Sequence, residues 1–166
     1  MPISLKLSVL GAIALLAACS EPEMPAEDAA APMQAAPGPA PQPNPTVART
    51  PSPAAAMAYI VEPADGATAT SPVLVAFGLK GIGVAPAGIE SPNTGHHHLL
   101  IDTELASFDQ PIPADAQHIH YGLGQTEAMV TLSPGSHTLR LVLGDHLHIP
   151  HDPPVMSDPV TIQVLP

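Results

Sequence analysis

The residues with chemistry to offer are the nine histidines, all of which lie between His96 and His151. Three are consecutive, in Gly95-His96-His97-His98-Leu99-Leu100-Ile101-Asp102, and the others are His118, His120, His137, His146, His148 and His151. Neutral imidazole is a common nitrogen ligand for zinc, copper, nickel and iron, and it titrates near physiological pH. His96/His98, His118/His120 and His146/His148 are each two residues apart. In an extended strand such a pair shares a face and can present two imidazoles to one ion.

Six positions form the candidate ligand set: His96, His98, His118, His120, His148 and His151. His97 shares a strand face with Leu99 and Ile101 and is expected to be a buried, hydrogen-bonded core residue. His137 follows a turn and is expected to pack or hydrogen-bond there, and His146 is expected at the surface. Asp102, Asp145 and Asp152 are expected to bond ligating imidazoles and orient them. The competing account is a structural or pH-responsive cluster in which the same acids hold the same imidazoles. Met129 and Met156 are soft donors that would favour copper, but each reads first as a packing residue.

Composition narrows the chemistry. The single cysteine, Cys19, leaves no internal disulfide and no thiolate-rich zinc site. The formal charge is −11, with Lys6, Arg49, Lys80 and Arg140 the only permanent cations. Such a chain offers little to a phosphate backbone, which argues against nucleic-acid binding, whereas the same acidity concentrates cations. No Gly-x-Ser-x-Gly elbow is present, and Ser133 and Ser136 are turn residues, so nucleophilic catalysis is disfavoured. Copper-dependent superoxide dismutation is the enzymatic rival, because that chemistry also uses His-x-His ligands on a β-sandwich. The chain lacks that family's cysteine pair and Gly-rich signatures, so a non-enzymatic role is favoured.

The elements that must position these histidines begin well after the N-terminus. Residues 1–18 read as a signal peptide, with Lys6 before an apolar Leu7–Ala18 run too short to span a bilayer. Leu16-Ala17-Ala18-Cys19 resembles the bacterial lipoprotein cleavage box, which implies lipidation at Cys19. Ser20 resembles the outer-membrane sorting pattern. Residues 19–57 are expected to form a disordered tether. Positions 20–57 hold ten prolines and no Ile, Leu, Phe, Tyr or Trp, too little apolar surface to offset ordering.

From residue 58 the pattern becomes that of strands. Short strands are predicted at 58–61, 72–80, 96–102, 118–121, 125–132, 137–143 and 159–164. Val73, Val75, Phe77 and Leu79 alternate onto one face, as do Leu139, Leu141 and Leu143. The strands at 125–132 and 137–143, joined by Ser133-Pro134-Gly135-Ser136, are expected to form a hairpin. Six to seven strands over 58–166 predict an all-β, immunoglobulin-like β-sandwich. The run Glu62-Pro63-Ala64-Asp65-Gly66 followed by Ser71-Pro72-Val73-Leu74-Val75 resembles the opening of many bacterial immunoglobulin-like modules.

Four motifs in order carry a further resemblance. They are Gly95 to Asp102, His118-Ile119-His120-Tyr121-Gly122-Leu123-Gly124-Gln125-Thr126-Glu127, Pro134 to Leu139, and Gly144-Asp145-His146-Leu147-His148-Ile149-Pro150-His151-Asp152-Pro153-Pro154-Val155. Together they resemble a family of small secreted bacterial proteins catalogued as a domain of unknown function. The resemblance implies a periplasmic or surface-anchored domain and brings no activity or ligand set. The expectation is therefore a lipoprotein of the bacterial envelope, anchored in the outer membrane and facing the periplasm. Its sandwich would bind copper or zinc for capture or delivery. A non-catalytic module that binds another envelope protein is the alternative.

Overall fold

A computed structural model of the chain describes residues 48–166. The signal peptide, Cys19 and most of the tether lie outside the described residues. The predicted strands appear as β1 (Met57–Glu62), β3 (Val73–Lys80), β5 (Thr94–Ile101), β6 (His118–Tyr121), β7 (Glu127–Val130), β8 (Gly135–Gly144) and β9 (Val160–Val164). Two further strands, β2 (Thr68–Ala69) and β4 (Gly83–Val84), are two residues long each, too short to leave a periodic signal. No helix occurs among the described residues.

The strands form a β-sandwich of the immunoglobulin-like class. One sheet has the order β1-β3-β7. The other runs β2-β9-β8-β5-β4, with β6 also paired to β5. The core between them takes the alternate residues of each strand. Val73, Val75 and Phe77 face Leu99 and Ile101, Leu139, Leu141 and Leu143, and Ile162 and Val164. Burying each such side chain contributes on the order of 1.5–3 kcal/mol.

The expected hairpin of 125–132 with 137–143 does not form. β7 pairs with β3, whereas β8 pairs with β5 and β9. The Ser133–Ser136 turn thus carries the chain from one sheet to the other. Alternation specifies which face of a strand is buried but not which edge it bonds, and both strands bury their apolar faces equally well across the sandwich.

β5 is unusual in being buried on both faces. His97, Leu99 and Ile101 face the inter-sheet core, while His96, His98 and Leu100 face outward. That outer face is covered by the connections after β5 and β8. Leu100, Val142 and Ile112 make a small second core there, with Leu105 and Met156 packed against it. The hydrogen-bonded chain also begins upstream of the expected residue-58 boundary, since Thr50 and Ser52 pair with Asp152.

Candidate metal centre

β5 supplies two imidazoles because His96 and His98 share its outer face. Antiparallel β6 puts His120 directly across from His98. On the other side, β8 places Gly144 opposite His96, and this absence of a side chain makes room. A Cβ at Gly144 would stand 3.0 Å from His98 Nε2, and one at Gly122 would stand 2.3 Å from His120 Cε1. The loop after β8 then brings in His148.

Four rings converge. His96 and His98 have centroids 4.9 Å apart, His96 and His120 5.0 Å, and His98 and His120 5.0 Å. His148 lies 4.9 Å from His96, 4.8 Å from His120 and 5.9 Å from His98. His96, His98 and His120 could hold a metal ion, with one nitrogen from each lying within 4.8 Å of the others. The Nε2 atoms of His96 and His98 are 3.1 Å apart. Two nitrogens bound tetrahedrally to zinc at about 2.0–2.1 Å stand about 3.3–3.4 Å apart. The β5 pair is thus spaced for a shared ion, and rotation of the solvent-side His120 ring would close the remaining separation.

The electrostatics keep His96, His98 and His120 neutral at pH 7. Burial, then the neighbouring His148 and His120, lowers His96 to about 4. Burial, then His96 and His120, lowers His98 to about 2. His120 is also lowered, chiefly by desolvation and then by His148. Neutral imidazole is the ligating form, so little proton competition remains at neutral pH. The buried Nδ1 atoms of His96 and His98 have no protein partner, and the contact between these two rings runs through Nε2.

The other sequence candidates lie elsewhere. His118 shares the strand face of His120, but its Nδ1 bonds Asp115 at 2.8 Å and it stands opposite Leu100. His151 is fully buried, with Nδ1 3.4 Å from Leu143 O and Nε2 3.2 Å from Thr94 O. Neither joins the four converging rings. His146 is half-buried. His97 is buried in the inter-sheet core, its ring 5.0 Å from Phe77. The expected hydrogen bonds are absent, since neither of its nitrogens has a partner.

The three acids also take individual positions. Asp102 accepts from His137 Nδ1 at 2.7 Å and from Thr138 N at 2.7 Å, remote from the four rings. Asp152 lies 3.5 Å from Arg49 Nη1. Asp145 is buried and accepts from Thr50 Oγ1, Leu147 N and Ile149 N. Burial pushes its carboxyl up, but these hydrogen bonds outweigh burial and hold it below the usual carboxylate range. Its charge acts on His96 through space. Asp145 therefore organises the His148 loop without touching a ring.

A family model described as a domain of unknown function, DUF4399, matches residues 75–165, more than half of the chain and every histidine in it. No curated protein matches the sequence. Among solved structures, the fibronectin(III)-like modules of CbhA from Clostridium thermocellum align with 66% of this chain and 94% of that one. The identity is 13% and the TM-score 0.34.

Proposed function

The chain belongs to the DUF4399 family, a domain of unknown function, and on that premise we propose that it captures or delivers a transition metal, copper or zinc. His96, His98 and His120 are the primary ligands, with His148 the fourth nitrogen. The observation that carries this reading is the meeting of four imidazoles at 4.8–5.9 Å, with the Nε2 atoms of the β5 pair 3.1 Å apart. An all-nitrogen set without thiolate suits copper(II) or zinc better than magnesium or calcium, which prefer oxygen. The setting is the bacterial envelope, with the protein held at the outer membrane by lipid on Cys19; the cleavage-box sequence around that cysteine supports this.

The test is metal content and titration of the full chain, purified without a His-tag or metal column. One copper or zinc ion per chain, bound tighter than micromolar, is expected. The variant with both His96→Ala and His98→Ala should lose that binding while keeping its β-sheet circular dichroism. Absence of binding in the wild type refutes the metal reading. A copper-loaded but inactive protein in a superoxide assay removes the enzymatic alternative.

One observation favours the protein-interaction alternative. The outer face of the β1-β3-β7 sheet exposes Met57, Tyr59, Val61, Leu74 and Met129. Exposed apolar patches on a small domain commonly mark a contact surface. Under that alternative the histidine variant loses stability, and no metal effect accompanies it.

A further inference from the structure

The first hydrogen-bonded residues of the described chain run alongside the loop that carries His148. Pro51 and Asp152 form a parallel bridge, in which Ser52 N donates to Asp152 O and Asp152 N to Thr50 O, each at 2.9 Å. Arg49 donates from Nε to Pro150 O at 3.0 Å and from Nη2 to His151 O. Its Nη1 lies 3.5 Å from Asp152 and 3.9 Å from Asp109, and its guanidinium stands over the Phe108 ring. Thr50 Oγ1 donates to Asp145 Oδ2 at 2.6 Å. The opposite oxygen, Asp145 Oδ1, accepts Leu147 N at 2.8 Å and Ile149 N at 3.0 Å. One carboxylate thus joins the entering segment to both amides that flank His148.

This loop has reason to need holding. His148 has φ of 67°, in the left-handed region that disfavours any residue with a Cβ. Its backbone is held by the bond from His148 N to Asp145 O within the loop and by the bond from Ile112 N, in the connection after β5, to His148 O. Asp145 is the pivot of that arrangement, and Thr50 is its side-chain partner from outside the loop. Arg49 fixes the far end through two successive backbone carbonyls, a task that suits the planar fork of a guanidinium and not a lysine.

We propose that Arg49 and Thr50 are positioning residues for the metal centre, latching the Asp145–His151 loop so that His148 is held over the His96–His98–His120 triad. Releasing the latch withdraws the fourth imidazole and leaves the three on the sheet in place. The effect on affinity rests on the metal reading above, whereas the effect on where His148 sits does not. Because Arg49 and Thr50 lie where the chain enters the sandwich, a pull or a cut at this entry acts directly on the metal site. A sandwich held at a membrane through its N-terminal side would thereby have a metal affinity that responds to its attachment.

The test compares the full chain with three variants: Arg49→Ala plus Thr50→Val, His148→Ala, and the combination of all three. In the metal-free protein, nuclear Overhauser contacts between the His148 and His120 rings report loop position, and exchange of the Leu147 and Ile149 amides reports loop order. In the copper-loaded protein, pulsed electron paramagnetic resonance counts coordinated imidazoles. The expected result is loss of the ring contacts, faster exchange of the two amides and unchanged protection of β5 and β8. Copper affinity should fall about 10–100-fold, as for removal of groups that orient ligands, with one fewer imidazole counted. Adding His148→Ala to the double variant should then cost nothing more. Persistence of the ring contacts and amide protection overturns the proposal, whether or not the wild type binds metal. A full additional loss on adding His148→Ala overturns it too, because Arg49 and Thr50 would then support the fold without acting through His148. Failure of the wild type to bind copper or zinc removes the metal reading alone, and the ring contacts still decide the latch. If the double variant does not fold, Thr50→Val alone is read by the same contacts and exchange rates.

Discussion

Gly122→Ala should silence the metal site while leaving the fold as stable as before or more so. A Cβ at Gly122 would lie 2.3 Å from His120 Cε1 and 2.5 Å from its Nε2. Ordinary contact begins about 1 Å farther out, so the ring must swing away. It has somewhere to go, because His120 sits on the solvent side of β6. Gly122 is not among the residues with positive φ, so alanine fits its backbone, and the gain of about 0.4–1 kcal/mol through the unfolded state offsets the tight 3.2 Å approach of the new Cβ to Ala87 Cβ. The metal-bound state should behave differently. With free metal at 100 times the dissociation constant, binding stabilises the native state by about 2.7 kcal/mol. In a domain of this size that raises the melting temperature by about 10 °C. A hundredfold loss of affinity leaves metal equal to the new dissociation constant, and RT ln 2 is only about 0.4 kcal/mol. Differential scanning calorimetry with and without zinc therefore separates the two effects. The apo transition should hold or rise, and the zinc-induced rise should shrink to about 1–2 °C. A variant with the full zinc-induced rise would refute the placement of His120 among the ligands.

Two other sites give predictions of opposite character. His97→Leu should stabilise the metal-free protein by about 1–3 kcal/mol, because it removes a core imidazole with both nitrogens unpartnered and leaves a side chain of similar size. Urea denaturation checks this, and a loss of stability would show that His97 has a partner in solution. His137 is raised above its ordinary 6.5 by the hydrogen bond to Asp102 and then by the one to the Ser133 carbonyl. A raised histidine contributes stability that is fully present below pH 6.5 and is lost as pH climbs through the folded value. The deficit of Asp102→Asn should therefore be larger at pH 6 than at pH 9. Asp102 is partly exposed, so solvent screening limits the difference to about 1 kcal/mol or less. A deficit that is flat or grows toward pH 9 would refute the assignment of the charge to this pair.

How far the site was legible in the sequence follows from what a two-residue period can encode. His96 and His98 could be paired from spacing, and His97 assigned to the opposite face beside Leu99 and Ile101, because alternation states a face and nothing else is needed. The same logic gathered His118 with His120 and cannot tell them apart. Position along the neighbouring strand does so: His120 lands opposite His98, while His118 lands opposite Leu100 and is taken up by Asp115 three residues before it. His148 and His151 both come from an irregular loop, where spacing carries no direction, and backbone contacts turn His151 inward while the left-handed backbone at His148 accompanies a ring turned to the triad. Arg49 and Thr50 sit in Pro/Ala-rich sequence that has every mark of a tether, and the partners of their side-chain hydrogen bonds lie 95–102 residues away. Nothing local could report them. The glycines were the least visible of all. Gly122 and Gly144 look like turn and strand-end residues, yet without the space they leave, His120 and His98 could not occupy their present positions. A His-x-His spacing is therefore only half of a metal signature on a sheet. The other half is a small residue on the neighbouring strand or just beyond the pair, and a search for sites of this kind should ask for both.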